Sequence, residues 1–307
     1  MAEISAVFVP ELWAALGIDV LMKNLVMAEL VHRDFEPVVA AMGDTVNTRK
    51  PTKFTVRDWA GQEDTGDLAD NEIIVERPLA VNVPVILSNH KYVSFMEEDK
   101  VGSLSVVDIR DAYINPAIVP LAEAIDLTII NELIAGTDGD GNTIAEVILE
   151  TTGTMAFEDV VNVMRELNIS EAPVSPRRFV MGTEHHAQAL KDSLFVQADQ
   201  SGATTALREA QVGRAFGMDT FMSQNVPDNT DGPQSIAFHR NAVAFVSRPL
   251  RAIPSSLGAQ SASAVHQNYT ARVITSYKHR GLGIDVSFDL LWGVRLLDAN
   301  LAKRLVG

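Results

Sequence analysis

The stretch from Ser103 to Gly136, SLSVVDIRDAYINPAIVPLAEAIDLTIINELIAG, constrains the fold more than any other. Ser105 followed three residues later by Asp108 has the form of a capping box. Asn115-Pro116 is a second start signal, with Asn115 as cap and Pro116 at the first helical position. Helical spacing runs on to Ala135, and Gly136 closes it. Pro120, one turn in, removes an early backbone bond and predicts a kink. Ile118, Leu121, Ile125, Ile129 and Leu133 share one stripe, while Leu127, Ile130 and Ile134 project from roughly the opposite side. A helix apolar on two sides is covered on two sides. At about 1.5 Å per residue this helix is ~30 Å long, enough to cross a domain. Helix spacing taken alone favours an ordinary core helix. The two apolar sides suggest more, a backbone to which separate substructures attach.

Before this helix, Pro10 opens an amphipathic segment carrying Leu12, Leu16, Leu21, Leu25 and Leu30, with Gly17 weakening its middle. It reads as an arm. A strand-like run follows through Phe54, Val56 and Trp59, then the polar tip AGQEDTGDLADNE. The return run alternates with period two: Val75, Leu79, Val81, Val83, Val85 and Leu87 on one face, Pro78 and Pro84 on the other. Prolines in strands demand edges, so the pattern predicts a long two-stranded hairpin. A lone hairpin is marginal in water, and a neighbouring subunit is the economical support; the alternative is a hairpin folded onto its own domain.

After the helix, Asp138, Asp140 and Asn142 have the spacing of a calcium loop. However, Thr143 and Leu149 stand where a glycine and a glutamate are required, which leaves a plain turn. Phe157, Val160, Val161, Met164 and Leu167 predict a helix. Residues 178–181 read as a strand, and Thr183 caps a short helix bearing His185 and His186, expected at the surface. Residues 236–238 and 243–246 read as core strands joined by a turn at Arg240-Asn241. PSSLGAQSASA, residues 254–264, reads as a linker or mobile loop. Residues 273–277 and the alternating Leu282, Ile284, Val286, Phe288 and Leu290 predict a closing sheet with one buried side.

Hydrophobic residues make up 47% of the 307, enough for a real core. Charged residues, at 21%, are few for the surface of a free monomer, which hints that some surface is buried against copies of the chain. The net charge of −15 and the absence of a Lys/Arg run argue against nucleic-acid binding on the surface. With no cysteine there is no disulfide, thiolate nucleophile or cysteine metal cage. The N-terminal Met-Ala-Glu-Ile lacks a basic leader region and no apolar run reaches bilayer length, so a soluble, intracellular product is expected. No P-loop, GxGxxG after a strand, HExxH or GxSxG occurs. No catalytic residue, metal ligand or cofactor is therefore assigned, and a structural or assembly protein ranks above an enzyme.

The order of elements, with the stretches AELVHRDFEPVVAAMGDTVNTRKP, AYINPAIVPLAEAIDLTIINELI, EAQVGRAFGMDTFMSQNVP, SIAFHRNAVAFV and VSFDLLWGVRLL, resembles the major capsid protein of tailed bacteriophages. It is closest to the coat proteins of short-tailed enterobacterial phages and their relatives. The resemblance implies an α+β tailed-phage major capsid fold with five segments. These are an N-terminal arm and helix (1–45), an extended hairpin or E-loop (46–90), a peripheral domain with the spine helix (91–172), an axial domain (173–268), and returning peripheral strands (269–307). It implies a non-catalytic shell protein that forms pentamers and hexamers with itself and is located in the virion after assembly in the host cytoplasm. The implied partners are a separate scaffolding protein, a portal protein, and packaged double-stranded DNA bound without sequence specificity; no membrane is involved. Hairpin residues Arg57, Trp59, Glu63, Asp64, Asp67 and Asp70 would meet a neighbour, with Arg272, Lys278, His279 and Arg280 near that contact or a three-fold contact. The hairpin tip has no lysine, so lysine–asparagine cross-linking is not expected. The competing expectations are an encapsulin-like nanocompartment shell and, further off, a soluble α/β enzyme.

Overall fold

A computed structural model of the chain describes residues 10–33, 45–50, 54–56, 81–99, 113–149, 154–191, 214–215, 217–228, 232–254, 258–266 and 269–307. Two sheets organise it. In the first, β12 (Gly283–Leu296) is the central strand. β11 (Tyr269–Lys278) lies along one side of it, with β10 (Ala259–His266) beyond. The other side of β12 is shared: β3 (Asn89–Glu98) pairs with its first part and β9 (Val243–Arg248) with its last. All these pairings are antiparallel.

Two helices cover one face of this sheet. α1 (Pro10–Asn24) lies on β10 and β11, and α3 (Asn115–Ala135) lies on β12 and β3, with α2 (Met27–Leu30) packed against α3. Alternation does the sorting: Val286, Phe288, Leu290 and Trp292 point into the core as the period-two reading expects. Phe95 stacks with Trp13, Tyr113 and Phe288 at centroid distances of 6.2, 5.3 and 6.4 Å. Gly17 is the point of closest approach. A Cβ there would stand 3.0 Å from Phe288 Cε1 and 3.4 Å from Ile118 Cδ1. The residue that looks like a weak spot in α1 is what lets α1 nest on α3 and the sheet.

α3 keeps its predicted length but not its predicted start. Ile114, already helical, precedes it, so Asn115 is the first residue of the helix and not its cap. The Ser105–Asp108 capping box lies outside the described residues. Pro120 is inside the helix and exposed. The stripe from Ile118 to Leu133 is buried throughout. The second side is covered only along Ala122, Asp126 and Ile130; Leu127 is 41% exposed and Ile134 half-buried.

The second sheet has the order β4-β13-β8-β5-β7-β6, formed by β4 (Ala145–Ile148), β13 (Ala302–Val306), β8 (Gln234–His239), β5 (Arg177–Met181), β7 (Met218–Met222) and β6 (Arg214–Ala215). β13–β4 and β5–β7 are parallel, the rest antiparallel. α4 (Phe157–Ile169) packs on β13 and β4, and α5 (Thr183–Lys191) on β5. A second apolar cluster lies here, including Val160, Val163, Leu167, Phe179, Met218 and Leu305.

The hairpin base is a two-stranded ladder between β1 (Thr45–Lys50) and β2 (Val81–Ile86), from Thr45↔Ile86 to Lys50↔Val81. Val83, Val85 and Leu87 are buried while Pro84 and Ile86 are exposed. β2 crosses β12 of the same chain so closely that a Cβ on Gly293 would collide with the Ile86 carbonyl. The base therefore rests on its own subunit.

One expectation fails here. Residues 259–266 are a strand, not a linker; their small side chains include the buried Ala262 and leave room for α1 above. β8 and β9 are core strands joined by a turn, as expected; that 3-10 turn, Arg240–Ala242, carries the chain from the second sheet to the first. Strand membership also runs across the segments expected from the resemblance. β9 and β10 complete the first sheet, β13 belongs to the second, and Trp13 to Val31 contribute to the main core.

Gly17→Val is expected to lower stability by about 1–3 kcal/mol through overpacking against Phe288 and Ile118. Gly17→Ala is expected to lose less, because roughly 1 kcal/mol of helix propensity offsets the contact. Guanidinium unfolding midpoints check both.

Candidate assembly surface

The first sheet turns its other face away from the helices. Along β3, Val93 and Phe95 are half-buried inward, while His90, Tyr92, Ser94 and Met96 are exposed outward. In register beside them come Asp289, Ser287 and Asp285 of β12, then Arg272, Ile274 and Ser276 of β11. The row Tyr92–Asp289–Arg272 holds the strongest polar contact. Asp289 is only 4% exposed although it lies on this outer face. Arg272 closes over it, donating from Nε to Oδ1 at 2.9 Å and from Nη2 to Oδ2, while His90 Nε2 lies 3.1 Å from Oδ2. Arg272 Nη1 also donates to the Arg251 carbonyl at 2.6 Å, drawing the segment after β9 across the sheet.

The β11–β12 turn ends this face in a built tip. Tyr277 donates its hydroxyl to Asp99 at 2.7 Å, and the Asp99 amide donates to the Leu282 carbonyl at 2.9 Å. Leu282 has φ +46°, an uncommon conformation for a leucine, and its side chain is 64% exposed. Tyr92, Met96 and Tyr277 are exposed with it. His279 and Arg280 stand out in the turn, and Lys278 pairs with Asp285.

Of the contact residues expected from sequence, the structure brings Lys278, His279 and Arg280 together at this tip. It sets Arg272 apart, on the sheet face and committed to Asp289. Arg57, Trp59, Glu63, Asp64, Asp67 and Asp70 lie outside the described residues. Phe54 and Val56, just before them, are exposed.

Two buried ionisable residues escape sequence reasoning. Asp126 occupies a nominally polar helix position, yet it is 3% exposed. Its Oδ2 accepts from the Val26 amide at 3.0 Å and its Oδ1 from the Met27 and Ala28 amides at 3.1 and 3.4 Å. It caps α2 from a hundred residues away, where Val26 has no side chain able to do so. Burial pushes its carboxyl up to about 6, against the pull of the three amides. His185 is fully buried, not at the surface as the sequence suggests, because α5 turns it onto β8, where its Nδ1 lies 2.7 Å from Ser235 Oγ. Burial pushes the imidazole down to about 4, outweighing the opposite effect of Asp159 and Asp228. Ser235 and His185 are both sealed from solvent, so a substrate does not reach this pair. Among the described residues no group of three metal-binding side chains occurs, and no helix is long and apolar enough to cross a membrane.

Arg272→Met is expected to cost about 3–5 kcal/mol by stranding the Asp289 charge, and Arg272→Met with Asp289→Leu to recover much of it; denaturant midpoints of the single and double variants check this. His185, held neutral, contributes stability that is present above its unfolded value of 6.5 and lost as pH falls towards about 4. The full loss is about 3 kcal/mol. His185→Asn keeps a partner for Ser235 and removes the titration, so its Tm is expected to fall less than that of the parent between about pH 7 and pH 5.

No protein-family model matches the sequence, and no curated protein is similar to it. Solved structures are. A chain from Mycobacterium phage Che8 is 19% identical with a TM-score of 0.65, over 92% of this chain and 90% of that one. The capsid of the cyanophage P-SCSP1u gives 12% identity and a TM-score of 0.62, over 92% and 88%. A virus-like particle from Pyrococcus furiosus gives 12% and 0.56, over 95% and 97%. The one-sided sheet under α1 and α3, the second mixed sheet and the hairpin entering at β2 are together the α+β fold of tailed-phage major capsid proteins.

Proposed function

We propose that this chain is the major capsid protein of a tailed bacteriophage, a non-catalytic subunit that assembles with copies of itself into an icosahedral shell around packaged DNA. The observation that carries this is the fold likeness to the cyanophage capsid over 92% of the chain. The first sheet with α3 serves as the peripheral domain, the second sheet as the axial domain, and β1 and β2 as the legs of the extended hairpin. Trp59 and its acidic neighbours meet an adjacent subunit, and the basic tip Lys278–Arg280 sits at an inter-subunit contact. The relatives to look for are the coat proteins of short-tailed enterobacterial phages, with a separate scaffolding protein and a portal as partners. A net charge of −15 suits a wall that holds double-stranded DNA without adhering to it. The virus-like particle from Pyrococcus furiosus supports a second reading, an encapsulin-like compartment with protein cargo. Its lower TM-score of 0.56 ranks it behind the capsid.

Negative-stain microscopy of the purified chain, alone and with a candidate scaffolding protein, is expected to show closed shells or large aberrant assemblies. A monomer or dimer under every condition overturns the proposal, and small uniform shells filled with protein favour the second reading. Trp59→Ala and Arg280→Glu are each expected to reduce shell yield severalfold while leaving the Tm of the free subunit unchanged.

A further inference from the structure

The sheets and the hairpin base leave several strand edges, and the chain treats them differently. An open edge can pair with any extended chain it meets, so edges are kept short or carry charges, prolines or bulges. β4 has four residues and exposes Glu146, and β6 has two. β3 is ten residues long but carries Lys91, Glu97 and Glu98. In the hairpin base β1 ends in Arg49 and Lys50, and β2 holds Pro84. The outer side of β9 is met by His32. β10 has none of these devices. Its eight residues, AQSASAVH, include no proline and no aspartate, glutamate, lysine or arginine. Its ladder with β11 runs from Ala259↔Ser276 to His266↔Tyr269 without a bulge. Among the described residues no backbone group of β10 bonds on the side away from β11.

The faces of β10 are covered while its edge is open. α1 lies on one face, where Ala262 is buried. Over the other face passes the segment that follows β9: Ser261 Oγ accepts from the Ile253 amide at 2.7 Å, and the Arg251 carbonyl is held by Arg272 at 2.6 Å. The edge is what remains for a further strand. We propose that β10 pairs with β10 of a second copy of this chain, antiparallel about a two-fold axis, so that the first sheet continues from one copy into the next.

Charge and shape select this occupant. Copies with a net charge of −15 repel, and an uncharged edge is where they can meet without bringing like charges together. The other described strands with a free edge are short, charged or interrupted by proline. β10 is the long neutral one, and an edge that pairs with itself makes a closed two-fold contact. Alternate residues of an edge strand turn their N–H and C=O groups outward, and only outward residues can bond across the axis. Opposed residues are therefore of the same parity and lie on the same face, which puts α1 of both copies on one side of the joined sheet. The axis passes close to Ala262 and Ser263, so residue 263 of each copy lies near residue 263 of the other. This contact does not depend on shells: it makes a dimer on its own and a link between capsomers if shells form.

Hydrogen exchange and sedimentation of the full-length protein over a range of concentrations test it. Amides at every second residue of β10 are expected to gain protection about tenfold once nine copies in ten are paired. Those of the β11–β12 ladder are expected to stay unchanged. Ser263→Lys and Ser263→Glu each set like charges together at the axis and are expected to weaken association severalfold while keeping the Tm of the free subunit. An equimolar mixture of the two is expected to recover it, because a lysine then faces a glutamate. Protection of β10 that does not change with concentration overturns the proposal, as does a mixture that associates no better than its components. Should either variant not fold, the concentration dependence of the parent's β10 amides decides. A β10-paired dimer that never grows larger upholds this inference and overturns the shell; shells whose β10 amides exchange as in the free subunit do the reverse.

Discussion

No ladder joins the two sheets among the described residues; one apolar cluster does, and α3 runs through it. Ile118 packs beside Gly17 of α1 and Phe288 of the first sheet. The same cluster takes in Val180, Ile236 and Phe238 from the second. Everything attached to α3 brings backbone N–H groups into a place without water, and carboxylates on and just after the helix satisfy them. Asp126 serves Val26 to Ala28. Glu132 accepts from the Leu296 amide at 3.0 Å, at the end of β12. Asp138 accepts from the Asp140, Asn142 and Ala299 amides at 3.0, 2.8 and 3.4 Å, and those bonds hold its carboxyl below the usual range despite burial. The turn with calcium-loop spacing is a local device for anchoring the approach to β13.

This explains which parts of the fold were legible in the sequence. Where a pattern reports a buried face directly, it reads well: Val83 and Val85 in β2 with Leu87 just after it, the α3 stripe, and the alternating Val286 to Trp292 in β12. Patterns mislead where a contact replaces a local rule. Asn115 looks like a cap, but the chain already turns helically before it. Residues 259–266 look like a linker because they are small, and smallness is what packing under α1 requires. The polar residues that matter most were the least legible. Asp126 sits among helix positions that normally face water, and His185 is buried only because α5 folds back on β8.

The candidate surface divides in the same way. The basic run Lys278-His279-Arg280 is visible in sequence, and the structure places it on a turn held by Tyr277 and Asp99. The exposed Tyr92, Met96 and Leu282 are not visible as a group, because they come from one strand and from an unusual turn conformation nearly two hundred residues away in sequence. Copies of a chain with net charge −15 repel at long range. Within a screening length of about 8 Å, a local cluster of opposite sign can still guide their approach. A small basic tip beside exposed apolar side chains suits such a short-range contact.

Two of the short crossings between the sheets are adjacent. One is the turn Arg240–Ala242 between β8 and β9; the other follows β12 at Leu297 and Asp298. The Leu297 amide donates to the Ala242 carbonyl at 2.7 Å, pinning one crossing to the other. Two short tethers side by side fix a line. Along that line the sheets can neither separate nor slide without breaking a covalent span only a few residues long, whereas rotation about it stretches neither tether. The two tethers thus lie along an axle-like line between the sheets, which the apolar cluster around α3 also spans.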